Sequence, residues 1–151
     1  LLSVLFLIYW GCEDEKDTTP TEVTLWGDCE EGEVELWGEC YDIENTTELN
    51  LFNSGLTGSI PPEIGNLTNL TRLYLYDNQL TGSIPSEFWN LTNLISFSLS
   101  DNQLSGIIPE SVCGYSVFIS NLYVWSNNSF CPPYPECIEN VSYGQDTTNC
   151  D

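Results

Sequence analysis

The chain has 151 residues, 41% of them hydrophobic, which is length for one domain and apolar mass for one core. Acidic residues number 23 against Lys16 and Arg72 alone, a formal net charge of −21, so phosphate backbones and anionic membrane surfaces are repelled and no nucleic-acid partner is expected. Histidine is absent, which removes the commonest general base near neutral pH and every imidazole-dependent triad or metal site.

The chain opens on the apolar run Leu1–Trp10, followed by Gly11 and Cys12. The run is too short to cross a bilayer, which needs about 20 apolar residues. It has the length of a signal-peptide core. With no initiator Met and no basic lead, the sequence is expected to begin inside a longer reading frame. An apolar run, a small residue and then a cysteine resembles the lipobox of bacterial lipoproteins, whose cysteine becomes the first mature residue and carries the lipid. That resemblance makes residues 1–12 a signal segment, Cys12 the lipidation site, and the lipid the one route to a membrane. The acidic stretch after Cys12 is similar to the export tag of surface lipoproteins in some Gram-negative bacteria. A plain secretory signal is the alternative. Residues 13–22 are acidic and threonine-rich and carry Pro20. They cannot bury a core and read as a flexible tether.

Residues 23–45 come next and include "CEEGEVELWGEC" from Cys29 to Cys40, while "TLWGDC" from Thr24 echoes its end and suggests an extra strand. If Cys12 carries a lipid, Cys29, Cys40, Cys113, Cys131, Cys137 and Cys150 remain. An even set in an exported chain reads as disulfides. None lies in a CxxC pair, so neither a structural zinc site nor a redox motif is expected. Position alone suggests Cys29 with Cys40, Cys131 with Cys137, and Cys113 with Cys150.

Residues 46–130 repeat at a spacing of 24. "LNLFNSGLTGSIP" from Leu49, "LYLYDNQLTGSIP" from Leu73 and "FSLSDNQLSGIIP" from Phe97 fall in register. Self-similarity at such a period signals a solenoid. Within each copy the L-x-L segment alternates like a strand, with its leucines turned one way. Asn78 and Asn102, with Ser54 in the first copy, hold a position from which an inward amide can bond the backbone of adjacent coils. A glycine (Gly58, Gly82, Gly106) and an Ile-Pro pair then end the ladder. A degraded fourth copy is expected at "YVWSNNSF". There Tyr123, Trp125, Asn128 and Phe130 take the Leu, Leu, Asn and Leu places after a two-residue insertion.

These positions resemble the leucine-rich repeat family, in its plant-type 24-residue class LxxLxLxxNxLxGxIP. The resemblance implies an α/β-type repeat solenoid, short and curved, with a parallel sheet on its concave side. It implies a disulfide-bonded N-terminal cap of the form C…W-G-x-C, which Trp37, Gly38 and Cys40 fit. Residues 131–151, opening on "CPPYPEC", are similar to a C-terminal cap. Caps are physically required, because the ends of a solenoid bare apolar surface and a sheet edge. With both ends capped, the solenoid is expected to be complete.

The outward columns flanking the inward leucines are Glu48, Arg72 and Ser96; Asn50, Tyr74 and Ser98; Phe52, Tyr76 and Ser100; and Asn53, Asp77 and Asp101. Phe52, Arg72, Tyr74, Tyr76, Ser98 and Ser100 are the candidate ligand contacts, because aromatics beside an arginine are what interface hot spots favour. The competing reading is that the rings only shield the sheet and that Glu48 and Arg72 form a surface ion pair. Asp77 and Asp101 match no calcium-loop spacing, so no metal is expected. The sequons at Asn45, Asn66, Asn69, Asn90, Asn127 and Asn140 would accept glycans only in a eukaryotic secretory path.

No nucleophile–base pair or phosphate-cradling loop stands out, so neither enzymatic activity nor a cofactor is expected. The expected function is a cell-surface or secreted recognition module for a protein, peptide or glycan. The alternative is a structural or adhesive envelope lipoprotein without a specific ligand. The plant members of the family are often ectodomains of receptor kinases; no kinase or spanning helix is read in these 151 residues, so the resemblance is not expected to carry a signalling role.

Overall fold

The computed structural model describes residues 29–115, 124–138 and 144–150. The apolar run, Cys12, the tether, residues 24–28 and Tyr123 lie outside the described residues. No helix among the described residues is long and apolar enough to cross a membrane.

The described chain begins with an antiparallel hairpin, β1 (Glu33–Leu36) against β2 (Glu39–Asp42). Trp37 and Gly38 join them with φ of 51° and 88°. Two left-handed residues in a two-residue loop give the twist that hairpins need. Val34 and Leu36 alternate inward and are buried, and β1 packs on the first coil beyond it. The Cys29–Cys40 disulfide ties the hairpin to the chain before it, as the spacing suggested.

Each following coil then runs strand, second strand, 3-10 turn. The first contributes β3 (Glu48–Asn50), β4 (Thr57–Gly58) and a turn at Pro62–Asn66. The second contributes β5 (Arg72–Tyr74), β6 (Gln79–Gly82) and a turn at Ser86–Asn90. The third contributes β7 (Ser96–Ser98), β8 (Gln103–Ile107) and a turn at Glu110–Gly114. The fourth adds β9 (Ser129–Cys131) and a turn at Glu136–Ile138. Pro61, Pro85 and Pro109 precede the first three turns in extended conformation. With no N–H to donate, each proline ends the ladder and starts the turn.

The coils stack into two parallel sheets, β3-β5-β7 and β4-β6-β8-β9. In the first, Leu49, Leu73 and Phe97 lie side by side, one repeat apart. The ladder runs on into the fourth coil, where the Leu99 N–H donates to the Val124 carbonyl at 2.8 Å and the Asp101 N–H to the Ser126 carbonyl at 2.9 Å. This places Trp125, Asn128 and Phe130 where the degraded copy was expected, two residues late. Leu67, Leu70, Leu73, Leu75, Leu80, Leu91 and Leu99 are fully buried. Burying each contributes roughly 1.5–3 kcal/mol. Toward the C-terminal end the core turns aromatic, with Phe97 edge-on to Phe88 and to Trp125, and Trp125 edge-on to Phe130.

The asparagine column is a staircase of side-chain bonds. Asn78 Oδ1 accepts the N–H groups of Ser54 and Leu56, and its Nδ2 donates to the carbonyls of Leu51 and Leu75. Asn102 bonds Leu80, Leu75 and Leu99 in the same way, and Asn128 bonds Leu104, Leu99 and Trp125. A second staircase runs near the start of each coil: Asn69 Nδ2 donates to the Glu44 carbonyl and Asn93 Nδ2 to the Thr68 carbonyl. The sequon amides of Asn45, Asn69 and Asn127 are thus all engaged within the fold.

The C-terminal disulfides correct the expected pairing. Cys113 bonds Cys137, and Cys131 bonds Cys150. Cys113 and Cys137 stand in successive 3-10 turns, and stacking brings their Cα atoms to 5.6 Å. Cys131, at the end of β9, instead pins the last described segment, residues 144–150.

Candidate recognition face

Leu49, Leu73 and Phe97 turn into the core, so their neighbours along β3, β5 and β7 turn outward. Phe52, one residue past Leu51 in the first coil, is 48% exposed. The Tyr76 ring stacks on it, with centroids 5.1 Å apart and planes 14° apart. Tyr74 meets Tyr76 edge-on at 6.4 Å. Both arrangements are favourable for aromatic pairs. The column reading of the sequence therefore brings Phe52, Tyr74 and Tyr76 into one cluster spanning the first two coils.

Arg72 is the only basic residue among the described residues, and its Nη1 donates to Glu48 Oε2 at 3.2 Å across the β3–β5 ladder. Both side chains are about half exposed. A pair so wet contributes under about 1 kcal/mol. Its consequence is positional, since it holds the guanidinium at the starting edge of the ladder beside Tyr74.

The third coil supplies no ring to this face. The Tyr74 hydroxyl donates to Ser96 Oγ at 3.2 Å, and the hydroxyls of Ser98 and Ser100 lie 3.3 Å apart. Ser98 is half-buried. Ser100, expected among the ligand contacts, is only 7% exposed, and Val124 and Ser126 of the fourth coil are buried. The accessible patch is therefore narrower than the sequence columns suggested.

At the far ends of the strands Asn53, Asp77, Asp101 and Asn127 each take a left-handed φ, between 48° and 58°. Asn and Asp tolerate that conformation better than other side-chain-bearing residues. Asp77 and Asp101 are exposed there, and Asp101 Oδ1 accepts the Asn127 amide at 2.6 Å. Carboxylates thus border the rings on one side, and Glu48 borders them on the other. Ahead of β3, the Asn45 side chain donates to Asp42, and the N–H groups of Asn45 and Glu44 add to that bond; together they hold the Asp42 carboxyl below the ordinary aspartate range.

Residues 44–114 match the family model described as Leucine rich repeat. The fold is that of a leucine-rich repeat solenoid. Among solved leucine-rich repeat structures, the chain is similar to the ectodomain of the plant membrane receptor kinase GASSHO1/SCHENGEN3 from Arabidopsis thaliana, solved in complex with CASPARIAN STRIP INTEGRITY FACTOR 2. That match has 32% identity, a TM-score of 0.50 and covers 58% of this chain and 10% of the other. The plant peptide hormone receptor RGFR1 in complex with RGF2 matches at 31% identity and TM-score 0.50, over 73% of this chain and 19% of the receptor. The BIR3–SERK2 complex from Arabidopsis thaliana matches at 22% identity and TM-score 0.52, over 91% of this chain and 82% of the other, which is a likeness of fold. This chain spans only a tenth to a fifth of the length of the first two receptors. No curated protein sequence matches it.

Proposed function

We propose that this chain is a non-enzymatic recognition module, exported to the cell surface, that binds a protein or peptide through the concave face of its leucine-rich repeats. The observation that carries the reading is the contact cluster of Phe52, Tyr74 and Tyr76 on the outward side of the ladder, with Arg72 beside it. An exposed Phe52 in contact with the half-buried Tyr74 and Tyr76 offers rigid ring area at little entropic cost, which is the make-up of an interface hot spot. The two receptor structures named above hold a factor and a peptide hormone, which supports a protein or peptide ligand here. Three disulfides support an oxidising, exported setting. The 24-residue period and its Ile-Pro endings support the plant-type class. Within the proposal, residues 1–12 are the leader, Cys12 the lipid anchor and residues 13–22 the tether, with caps at 23–45 and 131–151 about repeats at 46–130.

The test is capture of surface proteins and peptides by the whole chain and by a variant carrying Tyr74→Ala and Tyr76→Ala, read by mass spectrometry. The reading expects partners that the variant loses. Capture or adhesion left unchanged by the variant overturns it in favour of a structural envelope protein whose charge and rigidity matter more than any site.

A further inference from the structure

The rings of the face are bordered on one side by the acidic corners, Asp77 and Asp101, and on the other by Glu48, whose charge the face's one cation, Arg72, already meets. Glu48 stands at the start of β3, while Asp77 and Asp101 stand at the left-handed corners where the second and third coils leave the ladder. All three are exposed. The remaining surface adds no basic counterweight, since Lys16 is the only other cation in a chain with 23 acids. A ligand that carries carboxylates or phosphates would meet repulsion here, with little basic charge on the chain to offset it. One that carries ammonium or guanidinium groups would be drawn in over the whole approach.

The rings give such a cation a place to sit. Phe52 is nearly half exposed, and Tyr76 stacks flat on it, so the pair presents ring surface outward. A cation over a ring face gains attraction from the ring quadrupole. The aromatic column runs along the stacking direction of the coils, with the acidic corners parallel to it. The rings belong to the first two coils and the acidic corners to the second and third; at ~4.8 Å between strands those three coils span about 10 Å, which about three extended residues at ~3.3 Å each would cover.

Resting on the proposed recognition role, we infer that the partner of this face is an extended segment rich in lysine and arginine. Its cationic side chains lie over Phe52, Tyr74 and Tyr76, and their charge is met by Asp77 and Asp101. Arg72 lies on the side of the rings away from Asp77 and Asp101, with Glu48 as its own counter-charge.

The test measures binding of the whole chain to short synthetic peptides by calorimetry. The panel alternates threonine with lysine, arginine, glutamine or glutamate, and a β-glucan oligosaccharide is included. Two variants are compared. Asp77→Asn with Asp101→Asn removes the charge and keeps residues that accept the left-handed φ, so the corners fold as before. Phe52→Ala with Tyr76→Ala removes the stacked pair from an exposed surface.

Basic peptides are expected to bind, and the glutamate series is expected not to. Each variant is expected to weaken the basic peptides about tenfold, and raising salt weakens them further. If neutral peptides or the glucan bind best, and the ring variant alone abolishes that, the preference for basic residues is wrong while the recognition face stands. If basic peptides bind but the ring variant leaves affinity unchanged, they are merely adsorbed on a polyanion, and the inference fails. If no probe binds, the inference fails, and the recognition reading stands or falls on the capture experiment with Tyr74→Ala and Tyr76→Ala.

Discussion

Asn102 shows how one side chain settles the polar account of two coils. Its Oδ1 accepts the Leu80 N–H at 3.0 Å, and its Nδ2 donates to the carbonyls of Leu75 and Leu99 at 2.9 and 3.1 Å. The residue is 9% exposed, so water cannot replace it freely. Asn102→Ala orphans the Leu80 N–H, at about 1–3 kcal/mol, while the Leu75 and Leu99 carbonyls lose one donor each and keep the amides of Asn78 and Asn128. The expected loss is about 1–3 kcal/mol by urea denaturation. Ser54, which holds the same repeat position in the first coil, makes only an exposed bond to the Phe52 carbonyl. Ser54→Ala is expected to cost under about 1 kcal/mol, and equal losses for the two would show that position in the repeat, rather than burial of the amide, sets the effect. The inward role of the asparagine was readable from its column, because a polar residue recurring among leucines needs a backbone partner.

At the scale of the element, the 3-10 turns are where the repeat pattern and the packing part company. Gly65 and Trp89 occupy the same position in successive coils, so alignment treats the site as indifferent. Stacking does not: a Cβ placed on Gly65 would run into the Glu87 carbonyl of the next turn. Gly65→Ala is therefore expected to cost about 1–3 kcal/mol through overpacking. The mirror change at Trp89 removes ring contacts to Phe88 and Tyr115 instead. A melting temperature for Gly65→Ala equal to that of the unaltered chain would contradict the contact. The same stacking explains the missed disulfides. Cys131 and Cys137 are near in sequence, which made their pairing attractive, but Cys137 lies in the turn beneath Cys113. The signal was present in the shared Pro-Glu that opens both turns, at Pro109–Glu110 and Pro135–Glu136, and marks them as equivalent. The ring cluster was readable, since Phe52 and Tyr76 share an outward column. The burial of Ser100 was not, because it depends on a fourth coil that departs from the period by two residues.

At the scale of the whole molecule, a stack of coils must finish, and its last member faces the problem each coil solves for the one before. Leu80 and Leu104 have their N–H groups taken by the asparagine of the next coil, Asn102 and Asn128. Phe130 holds the corresponding place in the fourth coil, and here the partner is Gln145: its Oε1 accepts the Phe130 N–H at 3.0 Å, and its Nε2 donates to the Trp125 carbonyl at 2.7 Å. The Asp146 N–H adds a bond to the Asn128 carbonyl at 2.8 Å, and the Cys131–Cys150 disulfide closes the loop that carries both residues. One amide from the tail thus stands in for an entire further coil. No column in the sequence announces it, because it lies outside the period. Gln145→Ala should unpair the Phe130 N–H, at about 1–3 kcal/mol, while the Trp125 carbonyl keeps the Asn128 amide. In a stack whose stability is a sum over neighbouring coils, that loss should be felt first at the end. Hydrogen exchange is expected to quicken at the Phe130 amide well before the Leu104 amide, which Asn128 still holds, and the Leu80 amide should change least. Uniform quickening at all three would mean that the molecule opens as one unit, and unchanged exchange at Phe130 would mean that Gln145 is no cap.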